Sequence, residues 1–128
     1  HQVSGFLTDM AEAFGWADFV IARAGAMTVA EIATAGVGAL FIPFPHAVDD
    51  HQRFNAAWLV DQGAARLLGQ SEAGVDRLVA LLGPLLADRQ ALTDMAERAR
   101  AASVADSTGR IVAICEQTID GQRPGEDA

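Results

Sequence analysis

Four short apolar runs, VSGFL (3–7), DFVIAR (18–23), ALFIPFP (39–45) and AARLLG (64–69), alternate with stretches whose apolar residues recur at helical spacing. Continuous apolar runs of this length, separated by helices, are the pattern of a parallel sheet covered by helices. The fold class is therefore α/β. Thr8 or Asp9 is positioned to cap a first helix, with Met10, Ala13, Phe14 and Ala17 on one face. A second helix spans GAMTVAEIATAG and stops at Gly36, and a third, HQRFNAAWLVDQG, ends at Gly63. Leu78, Val79, Leu81, Leu82, Leu85 and Leu86 mark a fourth helix. A fifth buries Leu92, Met95, Ala96 and Ala99 and turns Glu97, Arg98 and Arg100 outward. A last helix starts at Asp106 or Ser107 and runs through Ile119, and residues 120–128 are expected to be a disordered tail.

With 128 residues the chain suffices for one domain, and 51% hydrophobic content allows a real core. Four strands are fewer than the usual six or so of a doubly wound nucleotide domain, so the chain reads as the second half of one. The start at His1, without an initiator methionine and just ahead of what reads as the end of a strand (residues 3–7), points the same way. No strand–GxGxxG–helix unit is present, which excludes a self-contained dinucleotide binder. Nine Lys and Arg against 17 Asp and Glu give a net charge of -8, which argues against nucleic acid as a partner and against electrostatic docking of this segment on anionic lipid. No run approaches the roughly 20 apolar residues of a membrane span, and no signal peptide is visible. The single cysteine, Cys115, lies in the apolar stretch IVAIC and is expected to be a buried, inert thiol.

The stretch Arg23 to Glu31, RAGAMTVAE, leaves a strand, turns through Gly25 and enters a helix. In a parallel sheet such a turn lies at the carboxyl edge, where ligands bind. Small residues admit a ligand to the backbone, and amides near Ala26, Met27 and Thr28, aided by the helix dipole, suit a diphosphate. The same letters also read as a capping box, with Thr28 as the cap and Glu31 satisfying an amide. The stretch Pro43 to Ala56 opens on the same edge and concentrates His46, Asp49, Asp50, His51 and Gln52, donors and acceptors suited to sugar hydroxyls. It is equally readable as a solvated loop with Asp50 capping the next helix, and its spacing defines no metal geometry. Asn55 can tie helix to loop through its amide. Phe6 and Met10 could flank a planar base whose edge the Leu7 backbone reads. Taken alone, the two side chains read as core.

The order FLTDM, WADxVIxRAGAMTVAE, ALFIPFPHAxDDHQxxNA and MAERARAAS resembles the C-terminal half of the MurG family of N-acetylglucosaminyltransferases, from about residue 3 to residue 117. The resemblance implies a Rossmann-like parallel sheet with flanking helices, part of the C-terminal domain of a two-domain (GT-B) transferase. Residues 1–119 would be the UDP-sugar-binding domain. The implied activity is hexosyl transfer, adding N-acetylglucosamine from UDP-N-acetylglucosamine to a lipid-linked muramyl-pentapeptide in peptidoglycan synthesis. It also implies peripheral attachment to the cytoplasmic face of the bacterial inner membrane, and no metal or other cofactor. Phe6, Leu7 and Met10 match the positions around the uracil. Ala26, Met27 and Thr28 match the diphosphate turn, and Glu31 the acid that takes the ribose hydroxyls. His51 and Gln52, with Asp50 beside them, match the pair that reads the sugar. Gly38 stands where the family commonly has proline, which is expected to loosen that turn. The family's acceptor domain and its activating basic group match nothing here, so no general base is assigned and the segment alone is expected to be inactive. Two alternatives remain: a stand-alone UDP-sugar-binding subunit of a split transferase, and a GT-B transferase with another acceptor.

Overall fold

The computed structural model describes residues 3–45, 50–104 and 106–119. Its elements run α1 (Met10–Trp16), β1 (Phe19–Ala22), α2 (Ala26–Ala35), β2 (Gly38–Phe41), α3 (His51–Asp61), β3 (Ala65–Leu67), a 3-10 turn (Gln70–Glu72), α4 (Val75–Ala87), α5 (Arg89–Ala102) and α6 (Ser107–Ile119). The strands form one sheet in the order β1-β2-β3, parallel throughout, with Phe19 beside Gly38 and Ala39 beside Ala65. Parallel neighbours demand crossovers, and α2 and α3 supply them.

Every residue of β2 is buried, which is why its run carries no polar alternation. Ala39 and Phe41 join a cluster with Val29, Ile32 and Ala33 of α2 and Leu59 of α3. Successive strand residues point to opposite faces. Gly38 accordingly meets the second cluster, built on Leu85, Leu92 and Met95 with Phe19 packed against it. A Cβ on Gly38 would stand 3.0 Å from the Met95 Cβ and 3.3 Å from the Phe19 ring. The glycine at this position therefore lets α5 close on the sheet; it sits inside the strand and loosens no turn.

Helix ends follow the sequence signals in most places. Asp9 caps α1 by accepting from the Glu12 amide at 2.8 Å. Helix α2 stops at Gly36, whose φ of 68° is left-handed, and Arg100 of α5 donates to the Ala35 carbonyl at 2.8 Å. A Cβ at Gly36 would lie 2.7 Å from Arg100 Nε and 3.2 Å from its Cβ. Gly36→Ala is expected to destabilise the domain by about 1–2 kcal/mol, the left-handed penalty of an L-residue. Urea unfolding checks this, and an unchanged midpoint would contradict it.

Two expectations are corrected. Residues 3–7 form no strand, and the described sheet has three strands rather than four. Val3, Phe6 and Leu7 are 89%, 82% and 51% exposed, so this apolar run has neither a pairing partner nor a layer beneath it among the described residues. Cys115 is exposed rather than buried. Its apolar neighbours belong to α6, in which no residue is buried, so local apolarity did not translate into packing. No described helix is long and apolar enough to cross a membrane. Residues 120–128, read as a tail, lie outside the described residues.

Candidate functional site

Strands β1 and β2 are adjacent and parallel, so the chain leaves both at the same edge of the sheet. From β1 it passes through Arg23, Ala24 and Gly25 into α2; from β2 it passes through residues 42–50 into α3. The two expected ligand-facing stretches therefore start side by side at the carboxyl edge.

Side chains tie them together. Arg23 Nη1 donates to the carbonyls of Ile42 at 2.9 Å and Pro43 at 3.0 Å. Its guanidinium lies 5.7 Å from the centroid of the Phe44 ring, within cation–π range. Asn55 Nδ2, on α3, donates to the Ala24 carbonyl at 3.1 Å, the linking role its amide was expected to serve. The Phe44 amide donates to Gln52 Oε1 at 2.9 Å. Three side chains thus cross-link the turn after β1, the loop after β2 and the first turns of α3.

Helix α2 does not begin as a capping box. Its N-cap is Gly25, which offers no side-chain bond, and its first residue is Ala26. Thr28 is already inside the helix, and Glu31 falls in the second turn, too far along to satisfy an amide at the start. The Gly25 carbonyl accepts from the Val29 amide at 3.0 Å, as an ordinary helix start requires. The amides of the first turn are left for an outside partner, since a helix cannot satisfy them itself. Glu31 is exposed. Gly25 has φ -64° and ψ 145°, which any residue adopts. Among the described residues a Cβ there would meet only Thr28 Oγ1, at 3.7 Å, so their packing gives no reason for glycine at this position.

At the start of α3, Asp50 is the N-cap residue but makes no side-chain cap bond; it is left-handed, with φ 54°. Its carboxylate pairs with Arg53 at 3.4 Å, both groups being more than half exposed, which contributes little to stability. The expectation that Asp50 caps through its side chain is thus corrected: the carboxylate pairs with Arg53 instead. His51 and Gln52 are the first two residues of α3, His51 exposed and Gln52 half-buried. His46 and Asp49 lie outside the described residues.

Phe6, Leu7 and Met10 precede and open α1, and all are exposed, Phe6 at 82% and Met10 at 40%. The core reading of Phe6 and Met10 is therefore overturned. Met27, in the first turn of α2, is 77% exposed. Among the described residues no three His, Cys, Asp or Glu side chains group to hold a metal.

A hollow of about 490 Å³ lies at the opposite end of the strands, among Asp18, Gly36, Val37, Arg89 and Arg100. Asp18 and Arg89 pair there at 2.6 Å, both well exposed. The carboxyl edge nonetheless remains the better candidate, because strand order and helix dipoles direct ligands to it. Sequence reasoning missed the brace by Arg23: the residue stood out in the motif, but nothing in its spacing revealed carbonyls of the next strand as its partners.

A family model described as the glycosyltransferase family 28 C-terminal domain matches residues 1–111. A protein of Alcanivorax borkumensis named UDP-N-acetylglucosamine--N-acetylmuramyl-(pentapeptide) pyrophosphoryl-undecaprenol N-acetylglucosamine transferase is 55% identical over 94% of this chain and 34% of its own length. The protein of that name from Aeromonas hydrophila is 50% identical over the same shares, 94% and 34%. The chain thus spans about a third of the length of the curated relatives it matches. Among solved structures, Acinetobacter baumannii MurG superposes with a TM-score of 0.86 at 46% identity, covering 91% of this chain and 33% of that one. The glycosyltransferase of kitacinnamycin superposes with a TM-score of 0.59 at 25% identity, covering 89% and 28%.

Proposed function

The chain belongs to glycosyltransferase family 28, whose C-terminal domain it carries, and from that premise we propose that it is the donor-binding part of an inverting N-acetylglucosaminyltransferase of peptidoglycan synthesis. The donor is UDP-N-acetylglucosamine, and the acceptor a lipid-linked muramyl-pentapeptide held by the rest of the enzyme at the membrane surface. The observation that carries this reading is the helix start at Gly25: no side chain caps it, and it sits beside a second loop pinned to it by Arg23 and Asn55. The match to MurG, closer in both identity and superposition than that to the glycosyltransferase of kitacinnamycin, supports this acceptor over another.

In this reading the amides of Ala26, Met27 and Thr28 take the diphosphate, and α2 points its positive end at it. Glu31 accepts from two ribose hydroxyls, as an ionised carboxylate can. Phe6 and Met10 flank the uracil, and the Leu7 backbone reads its edge. Their exposure fits residues awaiting a ligand better than residues of a core. His51 and Gln52, beside Asp50, read the hexose; the Gln52 amide offers Nε2 while its Oε1 is held by the Phe44 amide. The acceptor 4-hydroxyl attacks the anomeric carbon and UDP departs. Charge growing on the leaving diphosphate is stabilised by amides already in place.

Titrating UDP-N-acetylglucosamine, UDP-glucose and UDP into the intact protein by calorimetry tests the proposal. UDP-N-acetylglucosamine is expected to bind best of the two sugars, and absence of binding by all three would overturn the donor site. Gly25→Ala adds a sharper check. The free protein has room for the methyl group, so stability is expected to fall by less than about 1 kcal/mol. UDP affinity is expected to fall at least about tenfold, because the added carbon blocks the close approach of phosphate. Unchanged affinity would move the phosphate elsewhere.

A further inference from the structure

We propose that Arg23 is a positioning residue that sets the distance between the nucleotide-binding turn and the sugar-binding loop, and so governs the contribution of the hexose to donor affinity. The inference rests on the donor-site reading above.

Arginine beside a proposed diphosphate site would ordinarily be read as a phosphate ligand. Its geometry argues otherwise. One guanidinium nitrogen donates to two successive carbonyls, those of Ile42 and Pro43, at 2.9 Å and 3.0 Å. The planar group also lies against the Phe44 ring, 5.7 Å from the centroid. Carbonyls 42 and 43 begin the segment leaving β2, where the ladder to β1 stops. The final link of that ladder is the Ile42 amide donating to Ala22 O at 2.9 Å. Past this point the two segments have no strand pairing among the described residues, and the Arg23 side chain takes over as the cross-link. Asn55 closes the other side by holding Ala24 from α3. Gln52 in turn grips Phe44, the ring against which Arg23 lies. The result is a closed circuit, Arg23 to loop to Gln52 on α3, and Asn55 on α3 back to Ala24. Gln52 lies within this circuit, whereas the amides of the α2 start and Glu31 lie outside it.

The arrangement has a specific consequence. UDP alone uses the turn, Glu31 and the uracil contacts, none of which depends on where the second loop sits. UDP-N-acetylglucosamine needs both loops in register. Removing the brace should therefore cost sugar recognition and spare nucleotide recognition. A guanidinium that bound phosphate directly would do the opposite, weakening both ligands equally.

The test compares Arg23→Ala and Arg23→Lys with the unaltered intact protein, using calorimetry with UDP and with UDP-N-acetylglucosamine and thermal unfolding as the control for fold. Arg23 is exposed, and both variants are expected to fold. Arg23→Ala is expected to weaken UDP-N-acetylglucosamine about tenfold or more while UDP changes less than about twofold. Arg23→Lys keeps the charge but not the planar guanidinium fork, and should recover only part of the loss. Equal weakening of both ligands, or full recovery by lysine, would show charge acting on the diphosphate and overturn the brace. No change in either would overturn it as well. If the unaltered protein binds neither ligand, the donor-site reading itself fails, a result distinct from any difference among the variants.

Discussion

Glu31→Ala is expected to weaken UDP binding by about 1–3 kcal/mol, or roughly 5- to 150-fold, and to leave thermal stability nearly unchanged. The two halves of that expectation come from one observation. A glutamate three residues after a threonine, ahead of an apolar run, is the ordinary signature of a helix cap. Were it a cap, its loss would destabilise the fold by about 0.5–2 kcal/mol. Here the helix starts at Gly25, with Glu31 in its second turn making no cap bond, and Glu31 is exposed. A capping glutamate and a ribose-binding glutamate thus differ in which measurement moves. Calorimetry of UDP with the intact variant, paired with its melting curve, separates them. A lowered midpoint with unchanged affinity would restore the cap and remove the ribose role.

Phe41→Ala should produce the largest loss of stability, about 3–5 kcal/mol, because truncating a buried aromatic forfeits both its transfer energy and the packing around the void. Phe41 is 0% exposed and is among the largest fully buried side chains. It ends the central strand, contacts helix residues of the main cluster and accepts from the Leu68 amide at 2.9 Å. A domain of ordinary stability, about 5–15 kcal/mol, would be left close to its limit. Denaturant unfolding of the variant measures the loss, and a change below about 1 kcal/mol would mean that β2 is not the structural centre described here.

The sheet was most legible in the sequence at β2, where burial on both faces leaves no polar alternation; β1 and β3, each with one exposed residue, showed as short apolar runs between helices. Helix stops at Gly36 and Gly63 were legible because left-handed backbone favours glycine, and both have positive φ. The run at residues 3–7 misled because apolar content does not supply a neighbouring strand, and pairing is a non-local fact. Cys115 misled in the same way, since none of its apolar neighbours in α6 is buried in the described fold. At the site, the two loops could be placed on one edge from strand order alone. Which threonine or glycine opened α2 could not, because a capping box and a ligand turn share letters and differ only in where the helix begins. The brace was hidden for another reason. Its partners are backbone carbonyls 19 and 20 residues away, and carbonyls carry no sequence signature.

A crystal structure of the intact protein with UDP-N-acetylglucosamine bound tests the central claim most directly. The account predicts diphosphate oxygens within hydrogen-bonding distance of the Ala26 to Thr28 amides, the ribose on Glu31, and the hexose against Gln52. Diphosphate bound at the opposite end of the strands, in the hollow between Asp18 and Arg100, would contradict it.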